Sequence, residues 1–190
     1  LIFIMSKLEF CFKHPTAIQV SGPSRCGKTR LVLRILEHKL IRSVESNQFP
    51  ARIIWVFSEW QPDYVCAREL YSHIEFVHNW HESIYDMLNP NEPSLLIIDD
   101  LMDEAGSSKS MKALFTKGVH HRNCTVLYLL QNMYNNGSSQ RTASLNTHYN
   151  LVFRNARDMC QFRTLASQMF PTNFHWLLEA FDDATFKPYG

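Results

Sequence analysis

The stretch Gly22-Pro23-Ser24-Arg25-Cys26-Gly27-Lys28-Thr29 constrains this chain more than any other. It fits the pattern Gly-x-x-x-x-Gly-Lys-[Ser/Thr], in which each fixed position answers a need of a bound phosphate. Gly22 and Gly27 permit turns that a β-carbon would block, so successive N–H groups can point inward at phosphate oxygens. Lys28 supplies a mobile ammonium for the β- and γ-phosphates, and Thr29 a hydroxyl for Mg²⁺. The flanks agree: Thr16 to Ser21 reads as a buried strand and Arg30 to Leu40 as a helix, so the phosphates would sit at a helix N-terminus, where unpaired amides and the dipole favour anions. A strand, a tight loop and a helix in immediate succession demand an α/β fold.

A chain of 190 residues accommodates one such domain with a substantial core. Its 45% apolar and 13% aromatic residues mark it as globular rather than disordered. The formal net charge of +1 announces no global basic field, but a ring-shaped assembly can gather its basic residues on one face, so this weighs little against DNA. Five cysteines (Cys11, Cys26, Cys66, Cys124 and Cys160) are scattered and odd in number, which suits a reducing compartment, with Cys26 and Cys124 expected to be buried. The nine histidines repeat no ligand spacing, so no zinc site is expected. No apolar run reaches the roughly 18–20 residues that span a bilayer, and no membrane partner is expected. Leu1-Ile-Phe-Ile-Met5 lacks a cleavage pattern, and a first residue other than Met suggests an arbitrary boundary.

Along the chain, residues 1–15 read as an N-terminal strand or arm, and Ser43 to Pro50 as a loop. Arg52 to Phe57 is a second strand, almost continuously hydrophobic as a buried parallel sheet requires. A short helix over Pro62 to Tyr71, a strand over Ile74 to Val77 and a short helix over His81 to Leu88 follow. Pro93 to Asp100 runs four apolar residues straight into two carboxylates, which reads as a central strand with acids at the end where open α/β sheets bind ligands. Leu101 to Ser110 reads as loop, Met111 to His120 as helix, Thr125 to Leu130 as strand, Asn135 to Gln140 as flexible loop and Tyr149 to Phe153 as strand. Helices over Ala156 to Met169 and Asn173 to Phe181 complete the pattern. The βα alternation predicts a mainly parallel central sheet flanked by helices.

Asp99 is the natural partner of Thr29, since a carboxylate at a strand end beside a phosphate loop holds Mg²⁺ in the P-loop class, directly or through water. Asp100 is a candidate general base for the attacking water, with Asp103 and Glu104 as alternatives. Gln131 ends the next core strand, where its amide would reach the γ-phosphate or the water. Arg122, in His120-His121-Arg122-Asn123, is placed to reach a neighbouring subunit's γ-phosphate. The adjacent His120 and His121 do not share a face, so packing or loop roles are expected of them.

Taken together, these pieces resemble the FtsK–HerA superfamily of P-loop ATPases (RecA/ASCE-like), and within it the genome-packaging ATPases of large DNA viruses, adenovirus-like elements and Polinton-type transposons. The likeness spans about residues 15–188. It rests on Gly22 to Thr29, on Leu95 to Leu101, on Leu114 to Arg122, on Leu129-Leu-Gln131-Asn132, and on Leu145-Asn146 with Tyr149 followed by Phe153 to Asp158. It implies a single P-loop ATPase domain over 1–190, cut short at the C-terminus, where such proteins continue into another strand. It also implies ATP bound at Gly22–Thr29, Mg²⁺ held by Thr29 and Asp99, and Lys28, Asp100, Gln131 and an intersubunit Arg122 in catalysis. The departure is Asp100, where many members carry Glu. The implied activity is ATP-driven translocation of double-stranded DNA into a capsid of viral type by a homo-oligomeric ring, inside the cell, in the host nucleus or at a virus assembly site, with association with the virion an open possibility. DNA contacts would be chiefly to phosphates, through the loop around Asn135 to Arg141 and through Lys109, Lys112 and Lys117.

Two rival readings share the phosphate loop. A nucleotide kinase would want an arginine-rich lid, which is not evident. A non-hydrolysing assembly module would tolerate loss of the catalytic positions, all of which are present. GTP is disfavoured because no Asn-Lys-x-Asp guanine reader occurs.

Overall fold

The computed structural model describes residues 10–101, 108–134 and 138–186. Its eight strands are β1 (Phe12–His14), β2 (Ala17–Ser21), β3 (Ile41–Ser43), β4 (Arg52–Phe57), β5 (Glu75–His78), β6 (Ser94–Asp99), β7 (Cys124–Leu130) and β8 (Tyr149–Val152). Six of them form one sheet in the order β5–β4–β6–β7–β2–β8, with every pairing parallel. The helices are α1 (Lys28–Glu37), α2 (Asp63–Leu70), α3 (Ile84–Met87), α4 (Lys109–Ala113), α5 (Val119–His121), α6 (Ser138–Leu145), α7 (Met159–Met169) and α8 (Phe174–Ala184).

Successive strand residues point to opposite faces, and here both faces are covered, which is why the strands read as unbroken apolar runs. Ile18, Val20, Ile53, Trp55, Leu95, Ile97, Leu127 and Leu129 pack with Val32, Ile35 and Leu36 of α1 and Tyr64 and Ala67 of α2. Their neighbours Ile54, Val56, Leu96, Ile98, Val126 and Tyr128 pack on the other side with α3, the α4–α5 stretch and Ala143 of α6. The expected α/β fold, a parallel sheet flanked by helices, is what the chain forms.

The differences from expectation are local. The helix after the loop starts at Lys28 rather than Arg30 and stops at Glu37, because Lys39 turns left-handed (φ 49°) and the chain enters β3. β3 pairs in parallel with β1 as a separate two-stranded sheet, with Phe12 opposite Ile41. Three residues are too few to carry a sequence period.

The expected loop at 135–140 is helical in its second half: residues 138–140 open α6, while 135–137 lie outside the described residues. Burial of Ala143 against the sheet outweighs the poor propensity of a Ser/Thr-rich segment. The helix expected at 111–120 is longer and not uniform, since a π-helical turn (Leu114–Gly118) joins α4 to α5. The loop expected at 101–110, with Asp103 and Glu104, falls largely on 102–107, outside the described residues. Among the described residues, no helix is long and apolar enough to cross a membrane.

Candidate functional site

Because the six strands run in one direction, their C-terminal ends share an edge. β2 runs into Gly22, β6 ends at Asp99, and β7, which lies between them, runs into Gln131. The register sets Ser21 opposite Leu130 and Asp99 opposite Leu129. The glycine loop, the two acids and the glutamine, more than a hundred residues apart at the extremes, therefore meet where open parallel sheets hold ligands.

The loop is fixed at its base by the Gly22 N–H donating to the Leu130 carbonyl (3.1 Å), and closed by the Cys26 N–H donating to that of Pro23 (3.3 Å). Gly27 sits at φ 106°, a conformation that L side chains avoid, and Arg25 at φ 64°. Gly22 is needed for a different reason, which is room: a β-carbon there would lie 2.5 Å from Cβ of Phe153 and 2.8 Å from Sγ of Cys26. The first bond of α1 runs from the Leu31 N–H to the Gly27 carbonyl (2.9 Å), so the amides of Lys28, Thr29 and Arg30 precede the helical ladder. Such amides are what an anion at a helix N-terminus uses. Ser24 and Arg25 are exposed, and Pro23 is half-buried. Cys26 is half-buried rather than buried as expected, because it lies on the loop and not under it. Burial raises its thiol pKa, opposed by the Lys28 charge and by the Lys28 amide. Cys124 is buried in β7, and its thiol is pushed up to about 12 by desolvation.

Lys28 Nζ donates to the carbonyls of Gly22 (2.7 Å) and Pro23 (3.0 Å), and its charge is felt at Asp99. Asp99 is only 3% exposed, and its Oδ2 accepts a hydrogen bond from the Tyr64 hydroxyl (2.9 Å). Burial dominates its acidity and lifts its pKa to about 6; the Tyr64 bond and the Lys28 charge pull it back, and the Asp100 charge pushes it further up. The phenol of Tyr64 is in turn driven far above its ordinary range, first by burial and then by the Asp99 charge. The Trp55 indole N–H, on the neighbouring strand, faces the same pair without completing a hydrogen bond of its own.

Asp100 adopts a left-handed backbone (φ 55°), and its two carboxylate oxygens accept from Nε2 of Gln131 at 2.9 and 2.8 Å. Two residues chosen separately in the sequence are thus partners. Ser21 Oγ, buried at the foot of the loop, has no hydrogen-bond partner. It lines a shallow, open cleft together with Gly22, Gln131, Phe153, Asn155 and Asp158.

The two residues expected to hold a cation, Thr29 at the start of α1 and Asp99 at the end of β6, offer hard oxygens, a hydroxyl and a carboxylate. That set fits Mg²⁺, which keeps water and phosphate oxygens in most of its octahedron and asks the protein for one or two ligands. Among the described residues, no group of three or more His, Cys, Asp or Glu converges as a softer or fully caged ion would need.

Arg122 does not join this edge within its own chain. It precedes β7, so the seven residues of that strand at ~3.3 Å each put it roughly 23 Å from Gln131. There its guanidinium stacks on Tyr85 (4.6 Å), donates to the Leu88 carbonyl (3.2 Å) and lies 3.8 Å from Asp86. His120 and His121 are exposed at the end of α5, as are Lys109 and Lys112 of α4, Lys117 of the π-helical turn and Arg141 of α6.

Sequence reasoning missed Tyr64 and Trp55. Tyr64 reads only as part of a short helix, and no spacing links position 64 to position 99. The link is made by the β4–β6 register, Phe57 opposite Asp99, which swings α2 over the end of β6. No protein-family model matches the chain, and no curated protein does.

Proposed function

We propose that this chain is a Mg²⁺-dependent ATPase of the FtsK–HerA type, which works as a homo-oligomeric ring to move double-stranded DNA into a capsid of viral type, inside a host cell at the nucleus or assembly site. The observation that carries the nucleotide reading is the meeting on one sheet edge of the glycine loop, the buried Asp99 and the Asp100–Gln131 pair, with β7 seated between the loop strand and the acid strand. The DNA and capsid parts rest on the resemblance. Charge placement supports DNA: residues 105–157 contain no Asp or Glu, and Lys109, Lys112, Lys117 and Arg141 within them are exposed.

The amides at the start of α1 and the Lys28 ammonium bind the phosphates. To do so Lys28 exchanges its two carbonyl partners for phosphate oxygens. Thr29 and Asp99 would hold Mg²⁺, which would offset the negative charge of the phosphates. With its pKa at about 6, Asp99 is mostly ionised at neutral pH and so able to act as a ligand. Asp100 takes the proton of the attacking water. Gln131, which now holds both oxygens of Asp100, must release one of them before that carboxylate can face a water, so the amide and the acid act as a unit.

The test is ATP turnover with and without double-stranded DNA, for the chain and for Lys28→Ala. Loss of the lysine is expected to lower turnover by about a hundredfold or more. Turnover indifferent to DNA in an assembled ring would sink the motor reading, and phosphate transfer to a nucleoside would replace it with a kinase.

A further inference from the structure

Tyr64 is wholly buried and spends its one polar group on Asp99. Its ring is boxed by Trp55 (5.0 Å between centroids), Phe57 (5.6 Å), Trp60 (5.4 Å) and Phe76 (5.7 Å). Arg68, one turn further along α2, lays its guanidinium over Trp60 (4.8 Å) and Phe76 (5.1 Å) and closes the box from outside. A phenol held by four rings cannot follow its acceptor, so the acceptor must conform to it.

We propose that Tyr64 is a positioning residue for metal binding: its hydroxyl ties down Oδ2 of Asp99 and so turns Oδ1 toward the cation as a single, oriented ligand. The inference rests on Asp99 being a ligand of Mg²⁺, as read above. Several features of the contact favour this over simple core filling. A carboxylate that is 3% exposed has few ways to be solvated, and a fixed donor on one oxygen selects one rotamer of the side chain. The Trp55 indole N–H, buried on β4 beside this carboxylate, completes no hydrogen bond of its own, so the Tyr64 hydroxyl is the donor that fixes Asp99. Partners of this kind set the orientation of metal-ligating carboxylates, and their loss typically weakens metal affinity by about 10–100-fold.

Removal of the hydroxyl alone, Tyr64→Phe, separates positioning from packing. The readout is binding of ATP, first in excess EDTA and then across a Mg²⁺ titration, with thermal unfolding as a check on the fold. The expected result is a metal-free ATP affinity within about twofold of the parent chain and a Mg²⁺ half-saturation raised about tenfold or more. An unchanged Mg²⁺ titration overturns the proposal, and so does an equal loss with and without metal. Trp60→Phe thins the same aromatic box and spares the hydroxyl, so it should leave the Mg²⁺ requirement where it was. If it shifts that requirement as far as Tyr64→Phe does, packing is responsible and Tyr64 has no positioning role. Asp99→Ala tells apart the two levels of failure. If it leaves the Mg²⁺ titration unmoved, the ligand reading of Asp99 falls and takes this one with it. If it abolishes the Mg²⁺ response while Tyr64→Phe does nothing, only the role of Tyr64 is lost.

Discussion

At the scale of single residues, Asp99 stands in a place that resists its charge. Its pKa is about 6, against 3.8 for a free aspartate, so the folded chain holds the proton more tightly than the unfolded one. The stability this contributes is present below about pH 4 and is lost as pH rises through about 6. At 1.36 kcal/mol per unit, the penalty at pH 7 without metal is about 3 kcal/mol. Asp99→Asn keeps the shape and an acceptor for Tyr64 but cannot ionise. It should therefore stabilise the metal-free chain by about 1–3 kcal/mol at pH 7 and by next to nothing at pH 4, as read from denaturant unfolding at the two pH values. An equal effect at both would mean that the carboxylate is not charged in a buried setting. A site that costs stability without its ligand was half legible in the sequence. Asp99 shows itself because Leu95 to Ile98 run apolar into an acid, and Gly22 to Thr29 because the spacing of glycines and lysine has few other uses. Tyr64 and Trp55 do not show themselves, since what they do depends on strand register and not on their neighbours in sequence.

Among the elements, legibility followed burial. β4, β6 and β7 are covered on both faces and read directly as apolar runs, and their parallel pairing follows from the helices between them. β3 and α6 were hidden, one by its three residues and the other by a composition that favours turns. The π-helical turn had no sequence signature at all. Within it, Leu114, Phe115 and Gly118 are buried, and Val119 just beyond it is too, so the widened turn keeps this whole stretch against the sheet. Gly118 is where the stretch meets α3: a β-carbon there would lie 2.8 Å from the Tyr85 ring and 3.1 Å from Leu114. Gly118→Ala should thus reverse the usual gain of about 0.5–1 kcal/mol for glycine to alanine in a helix. We expect a loss of about 1–2 kcal/mol in thermal or denaturant unfolding. Tyr85→Leu in the same chain should recover part of that loss, because it removes the atoms in the way. Simple additivity of the two changes would show that the clash is not what matters.

For the molecule as a whole, the question is what Arg122 is for. The parallel sheet puts it at the edge opposite the glycine loop, and its bonds to Leu88 and Tyr85 tie α3 to the start of β7. One chain cannot bring it to its own phosphates. A ring can, because head-to-tail packing presents one edge of a subunit to the other edge of the next. The two roles make different predictions. A structural Arg122 predicts that Arg122→Ala lowers the unfolding temperature and that its activity stays low whatever it is mixed with. An intersubunit Arg122 predicts complementation. Lys28→Ala chains carry an intact Arg122, and Arg122→Ala chains carry an intact glycine loop, so each variant alone has no complete interface. Mixed at equal amounts and allowed to assemble, about a quarter of the interfaces join an intact loop to an intact arginine. ATP turnover should then rise from near zero in each variant to about that fraction of the parent ring. Turnover that remains at the level of the separate variants, in assemblies shown by light scattering to be mixed and full-sized, would assign Arg122 to the fold alone.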